Sequence, residues 1–218
     1  MRTAPEDQIA NLHKENEELR DKYIKLAWHK VLSGEVSNQD VSKEALIRLI
    51  RTLVDTGYFV ERKINEIESP LFSAMCVDEE VAFLQDIVRA VKNRIQTIIE
   101  RNSTPSKSDN ESVAKPNHTY ITQGVPGSEL KTMLPGVYSP IFKYTWDEVL
   151  NGQVKKYNVS PDSMVRLAKT LFDTVAWMRK RVEELNEKPG ELITHEEIDF
   201  LNEISRWAET GLTILKKA

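Results

Sequence analysis

The sequence predicts an all-α protein: two internally duplicated helical-hairpin units, four-helix-bundle-like, behind an N-terminal coiled-coil helix. Three observations carry this. Shifting the chain by 118 residues lays one half on the other. Apolar residues recur at three- and four-residue steps through both halves, the period of an amphipathic helix. Proline, glycine and cap residues fall where those steps stop.

The N-terminal helix is expected over 1–27. From Glu6 onward Ile9, Asn16 and Tyr23 fall at a positions of a heptad and Leu12, Leu19 and Leu26 at d. A buried Asn at an a position fixes register and favours two parallel strands. These six residues are therefore expected to make a homodimer, with Glu15 of one chain facing Arg20 of the other.

The first unit is expected over 28–101. Trp28, Val31, Leu32, Gly34 and Val36 match Trp146, Val149, Leu150, Gly152 and Val154. Ser42 caps a long helix with the stripe Leu46, Leu49, Leu53, Val60, Ile64 and Ile67. Pro70 breaks it, and Asp78 is expected to cap a second helix with Val81, Leu84, Val88, Val91 and Ile95. Trp28, Trp146, Phe59 and Trp177 are expected to anchor cores.

Residues 102–137 form a Pro/Gly/Ser-rich linker, expected to be partly disordered. The second unit is expected over 138–218. Ser160-Pro161-Asp162 is a cap, a first-turn proline and a first-turn acid. Met164, Leu167, Leu171, Met178, Val182 and Leu185 repeat the stripe. Thr194 and Glu197 form a capping box ahead of Ile198, Leu201, Leu212 and Leu215. A shift of 117 matches Glu79, Glu80, Phe83, Leu84, Ile87 and Arg89 to Glu196, Glu197, Phe200, Leu201, Ile204 and Arg206. Convergence of two amphipathic helices would not place Trp, Gly and Asp alike, so duplication is the better account.

A polar set recurs beside the stripes: Arg48, Thr52, Asp55 and Thr56, matched by Arg166, Thr170, Asp173 and Thr174. Such a set can bind an anion, with Arg on the charge and Asp and Thr completing the hydrogen bonds. It can equally be an Arg–Asp and Thr network that fixes how the halves pack. Packing is the expected role, and a small nucleotide-like anion the alternative.

Glu183-Glu184-x-x-Glu187 followed by Glu196-x-x-Asp199 is similar to the EExxE…ExxD pattern of the MazG-like pyrophosphohydrolases. That resemblance implies an all-α enzyme holding Mg²⁺ and cleaving nucleoside triphosphates. The gap here is shorter than in that family, Pro189-Gly190 falls inside it, and the first half keeps only Glu66. No catalytic, metal-ligating or cofactor-binding set is assigned. The histidines lack ligand spacing, and no glycine-rich phosphate loop is present.

Formal net charge is −4. That balance argues against a broad nucleic-acid face, which needs a basic excess. The single cysteine, Cys76, cannot form an internal disulfide. No apolar leader run opens the sequence, and no stretch is long enough to cross a membrane. The expected setting is cytoplasmic. The expected function is a non-enzymatic homodimeric adaptor or structural protein that binds an unidentified protein partner.

Overall fold

The computed structural model describes residues 6–37, 41–102, 159–187 and 193–217. The linker 102–137 beyond Asn102 and the opening of the second unit, with Trp146 and Gly152, lie outside the described residues. Pro189 and Gly190 do too.

Within the described residues the chain is helical, with α1 (Glu6–Glu18), a π segment (Leu19–Ile24), α2 (Lys25–Ser33), α3 (Lys43–Glu68), α4 (Asp78–Asn102), α5 (Pro161–Glu187) and α6 (His195–Lys217). A short 3-10 turn, Ser73–Met75, precedes α4. Val41 and Ile193 are isolated bridge residues, and no longer strand is present among the described residues.

Local chemistry sets the helix ends. The Ser42 hydroxyl accepts from the Ala45 amide at 3.1 Å, and the Ser160 hydroxyl accepts from the Ser163 amide at 3.1 Å. Pro161 occupies the first position of α5, where its missing N–H costs nothing. Gly34 ends α2 with φ of 80°, a left-handed C-cap that L side chains resist. Two caps differ from expectation. Asp78 is the first residue of α4 rather than its cap. Thr194 accepts from the Glu197 amide at 3.0 Å, but the Glu197 carboxylate turns away from the box toward α3.

The predicted stripes of α3, α4, α5 and α6 are all buried. α3 packs on α4 and α5 on α6, as hairpins. The hairpins then meet crosswise, α3 against α6 and α4 against α5. One apolar cluster runs through α1, α2, α3, α4 and parts of α5 and α6. A smaller one joins Val77 to Met164, Leu171, Leu212 and their neighbours. A fully buried Leu or Ile stabilises by roughly 1.5–3 kcal/mol, so these stripes hold the bundle together.

α1, the π segment and α2 follow one another without a break, straight across the 27/28 boundary. A π turn takes up one residue more than an α turn, so the stripe behind it moves by one position. Leu12, Asn16 and Leu19 are buried on the heptad. Beyond the π segment Ile24, Ala27 and Val31 are buried, each one residue later than the heptad requires. Leu26 is consequently 41% exposed. Trp28, expected in the core, is 37% exposed, one position past the buried Ala27 and off the stripe.

The face expected to meet a second chain is occupied within this one. α1 packs on both α3 and α4. Leu12, Asn16 and Leu19 are buried there, and Ile9 and Tyr23 pack against the same cluster. Asn16 donates its side-chain amide to the Gly57 carbonyl of α3 at 3.3 Å, the partner expected from a twin Asn. Arg20 likewise pairs with Glu61 of α3 and stacks 4.5 Å over the Tyr58 ring.

Candidate functional site

Two buried carboxylates organise the polar interior. Glu80 stands in the first turn of α4 and Glu197 in the first turn of α6, both with no exposed surface. Helix N-termini favour negative charge, which offsets part of the burial cost. Thr170 donates to Glu80 at 2.5 Å, and the Arg166 Nε donates to its other oxygen at 2.9 Å. Thr52 donates to Glu197 at 2.5 Å, while Arg48 pairs with it at 3.4 Å and Arg181 at 3.6 Å.

The arrangement is reciprocal. The carboxylate on the first half's last helix is served by donors from the second half, and Glu197 by Thr52 and Arg48 of the first half, with Arg181 of its own half beside them. Thr56 and Thr174 lie one turn on. Each donates its hydroxyl at 2.8 Å to a carbonyl of its own helix, that of Thr52 and Thr170. Burial pushes the Glu80 carboxyl above its ordinary range. The Arg166 charge and the Thr170 hydrogen bond recover only part of that shift.

Asp55 and Asp173 belong to a second, shallower layer. Lys63, wholly buried, pairs with Asp173 and reaches Glu66 at 3.0 Å. Lys169 donates to Asp173 at 2.6 Å. At the equivalent places Arg181 holds Glu184 at 2.8 Å and Asp55 at 3.7 Å. Burial raises both aspartates, but at Asp173 the bonds from Lys169 and Lys63 outweigh it and hold the carboxyl below its usual range. At Asp55 burial outweighs the Arg181 charge and the carboxyl stays raised.

Each recurring polar set is thus divided. Its Arg and first Thr converge on a buried glutamate, its second Thr bonds its own helix, and its Asp faces a cation of the other half. The Arg–Asp pairs expected from the sequence are replaced by Arg48–Glu197, Arg166–Glu80, Arg181–Asp55 and Lys63–Asp173. Sequence reasoning missed Glu80, Glu197, Lys63 and Arg181 as members. The signal was present: both glutamates matched at the shift of 117, and Lys63 matches Arg181 at 118.

α3 and α5 run antiparallel past one another. Thr52 meets Arg181, Phe59 meets Trp177 and Lys63 meets Asp173, in that order. The Phe59 and Trp177 rings, equivalent under the 118 shift, stand 6.0 Å apart and tilted by 34°. Above them lies an open cleft of about 620 Å³, walled by Tyr58 and Arg62 of α3 and Lys180 of α5. Asp55 separates it from a hollow of about 360 Å³ lined by Glu44, Arg51, Glu184 and Glu187.

Of the acids that resemble the pyrophosphohydrolase pattern, Glu183, Glu187 and Asp199 are exposed, and Glu184 is held by Arg181. Among the described residues no three His, Cys, Asp or Glu stand close enough to hold a metal ion. Cys76 is buried, and burial, then the nearby Glu80 charge, push its thiol to about 12. A thiol held so high is a poor nucleophile at neutral pH. No described helix is long and apolar enough to cross a membrane.

No protein-family model, curated protein or solved structure matches this chain.

Proposed function

We propose that this chain is a non-enzymatic helical adaptor or structural protein, built from two duplicated halves, that binds another macromolecule in the groove between α3 and α5. One observation carries the reading. The buried ionisable groups that could act on a substrate are engaged with one another across the halves, while the α3–α5 cleft stays open, with aromatic and cationic side chains on its walls. Because α1 is part of the chain's own core, the reading does not require a homodimer. It places the protein in the cytoplasm, where the lone Cys76 stays reduced.

Duplication supports the same reading. A pair of related hairpins crossing near an aromatic pair generates one groove from two copies of a surface. Position 58 can be tested with a photo-crosslinking amino acid in the full-length protein, because Tyr58 is exposed on the cleft wall. The expected result is a discrete crosslinked species that is absent when the crosslinker replaces Arg89, exposed on α4. Equal crosslinking at both positions, or none at 58, would refute the groove. A thermal-shift screen of nucleotides completes the test, since a nucleotide-dependent rise in Tm would make the cleft a small-anion site instead.

A further inference from the structure

We infer that the cleft between α3 and α5 takes a short acidic segment of a partner protein, with one apolar side chain seated on Phe59 and Trp177 and carboxylates held at Arg62 and Lys180. This rests on the groove reading above and names the chemistry of its occupant.

The charges around the cleft decide the sign. Its three acids already have cations: Asp173 and Glu66 are paired with Lys63, and Asp55 with Arg181. Two cations are left over. Arg62 and Lys180 are both exposed, and neither enters an ion pair among the described residues. They are equivalent under the 118 shift and stand on opposite walls, one from α3 and one from α5. Arg62 already lies 5.7 Å from the Phe59 ring centre, beside the apolar floor.

The shape decides the occupant. An open trough between two antiparallel helices admits a chain segment from the side. Its volume of about 620 Å³ is enough for a few side chains. A nucleic acid strand would need a continuing run of cations along its phosphates. Here the basic stretch is short: the next hollow sets Glu44, Asp55, Glu184 and Glu187 against Arg48, Arg51 and Arg181, so it offers a polyanion no excess of positive charge. Two spaced cations flanking an aromatic floor fit two carboxylates flanking one apolar anchor.

The test uses full-length protein and labelled synthetic peptides read by fluorescence anisotropy. One peptide has a leucine flanked by glutamates. A second replaces the glutamates with lysines, and a third lacks the leucine. The expected result is saturable binding of the Glu/Leu peptide, weakened by about tenfold or more in an Arg62→Glu, Lys180→Glu double variant. The Lys/Leu peptide is expected to bind that variant and not the wild type, and the peptide without leucine to bind neither well. Both replaced side chains are exposed, so an unchanged melting curve verifies the fold. No saturation with the Glu/Leu peptide, or equal affinity in the double variant, would overturn the proposal. The position-58 crosslink separates the two readings. A captured partner without Glu/Leu binding sinks the acidic segment alone, whereas silence in both experiments sinks the groove as well.

Discussion

Arg181 and Thr52 are 129 positions apart, yet the guanidinium reaches the hydroxyl from two nitrogens, Nε at 2.9 Å and Nη2 at 2.5 Å. The same guanidinium holds Glu184 and lies within 4 Å of Glu197 and Asp55. A lysine at this place has one ammonium and cannot serve all four groups. Arg181→Lys is therefore expected to cost about 1–3 kcal/mol in denaturant melts. Lys63→Arg, at the equivalent place, is expected to cost about 1 kcal/mol or less, because Arg181 already shows that an arginine fits there. A larger loss from Lys63→Arg than from Arg181→Lys would refute the equivalence.

Arg166→Ala leaves Glu80 buried without its cation. A stranded buried charge costs roughly 3–5 kcal/mol, and that is the loss expected near neutral pH. The pH dependence follows from the raised carboxyl. A raised folded-state value means that Glu80 contributes stability below its unfolded value of 4.5, and loses that contribution as the pH rises through the folded value. Removing Arg166 moves the folded value higher still. The gap between wild type and variant should therefore be widest at neutral pH and shrink as the pH falls through the raised folded-state value, since a protonated Glu80 no longer needs the cation. Asp173, held below 3.8, works the opposite way and loses its contribution only under stronger acid. A gap independent of pH would show that Glu80 is not the group affected.

Removing residues 1–27 tests what α1 is for. Leu12 and Leu19 are fully buried against α3 and α4, and Asn16 bonds Gly57. The truncated chain is expected to lose several kcal/mol, through the uncovered apolar surface of both hairpin helices. Thermal melts and sedimentation should be read together. An unchanged Tm with a halved particle mass would restore the intermolecular zipper.

Deleting Asp21 tests the π segment. Asp21 is exposed within it, paired only along the surface with Lys25 among the described residues. One residue fewer lets an ordinary α-helix bring Ile24, Ala27 and Val31 into the positions the heptad assigns. The variant is expected to stay folded with Tm nearly unchanged. Deleting Lys14 instead, ahead of the π segment, rotates Asn16 and Leu19 off the core and is expected to be strongly destabilising. Similar Tm losses from the two deletions would refute the register argument.

The helices were legible because their information is local. Apolar period, serine caps and Pro161 each act within a few residues, so α3 to α6 could be placed from spacing alone. The π segment was not legible, because nothing in Leu19–Ile24 distinguishes it from an α turn. Its cause is tertiary: the rod must present Leu19 and Ala27 to the same neighbours. The polar network was half legible. Arg48, Thr52, Arg166 and Thr170 stood out by recurring together, but their acids lie on other helices, at distances along the chain that no helical period reports. Asn16 shows the same limit, since its spacing suits a twin in a second chain and the Gly57 carbonyl alike.

The crossed glutamates have a consequence for how such a chain can change over time. Glu80 depends on Arg166 and Thr170, and Glu197 on Arg48, Thr52 and Arg181. A loss on one side is tolerable only alongside a compensating change far away in the sequence. The halves are therefore not free to drift as independent modules. One cannot be exchanged, lost or separately adapted while the other keeps its charges, and the mutational history of either should be written jointly with that of its counterpart.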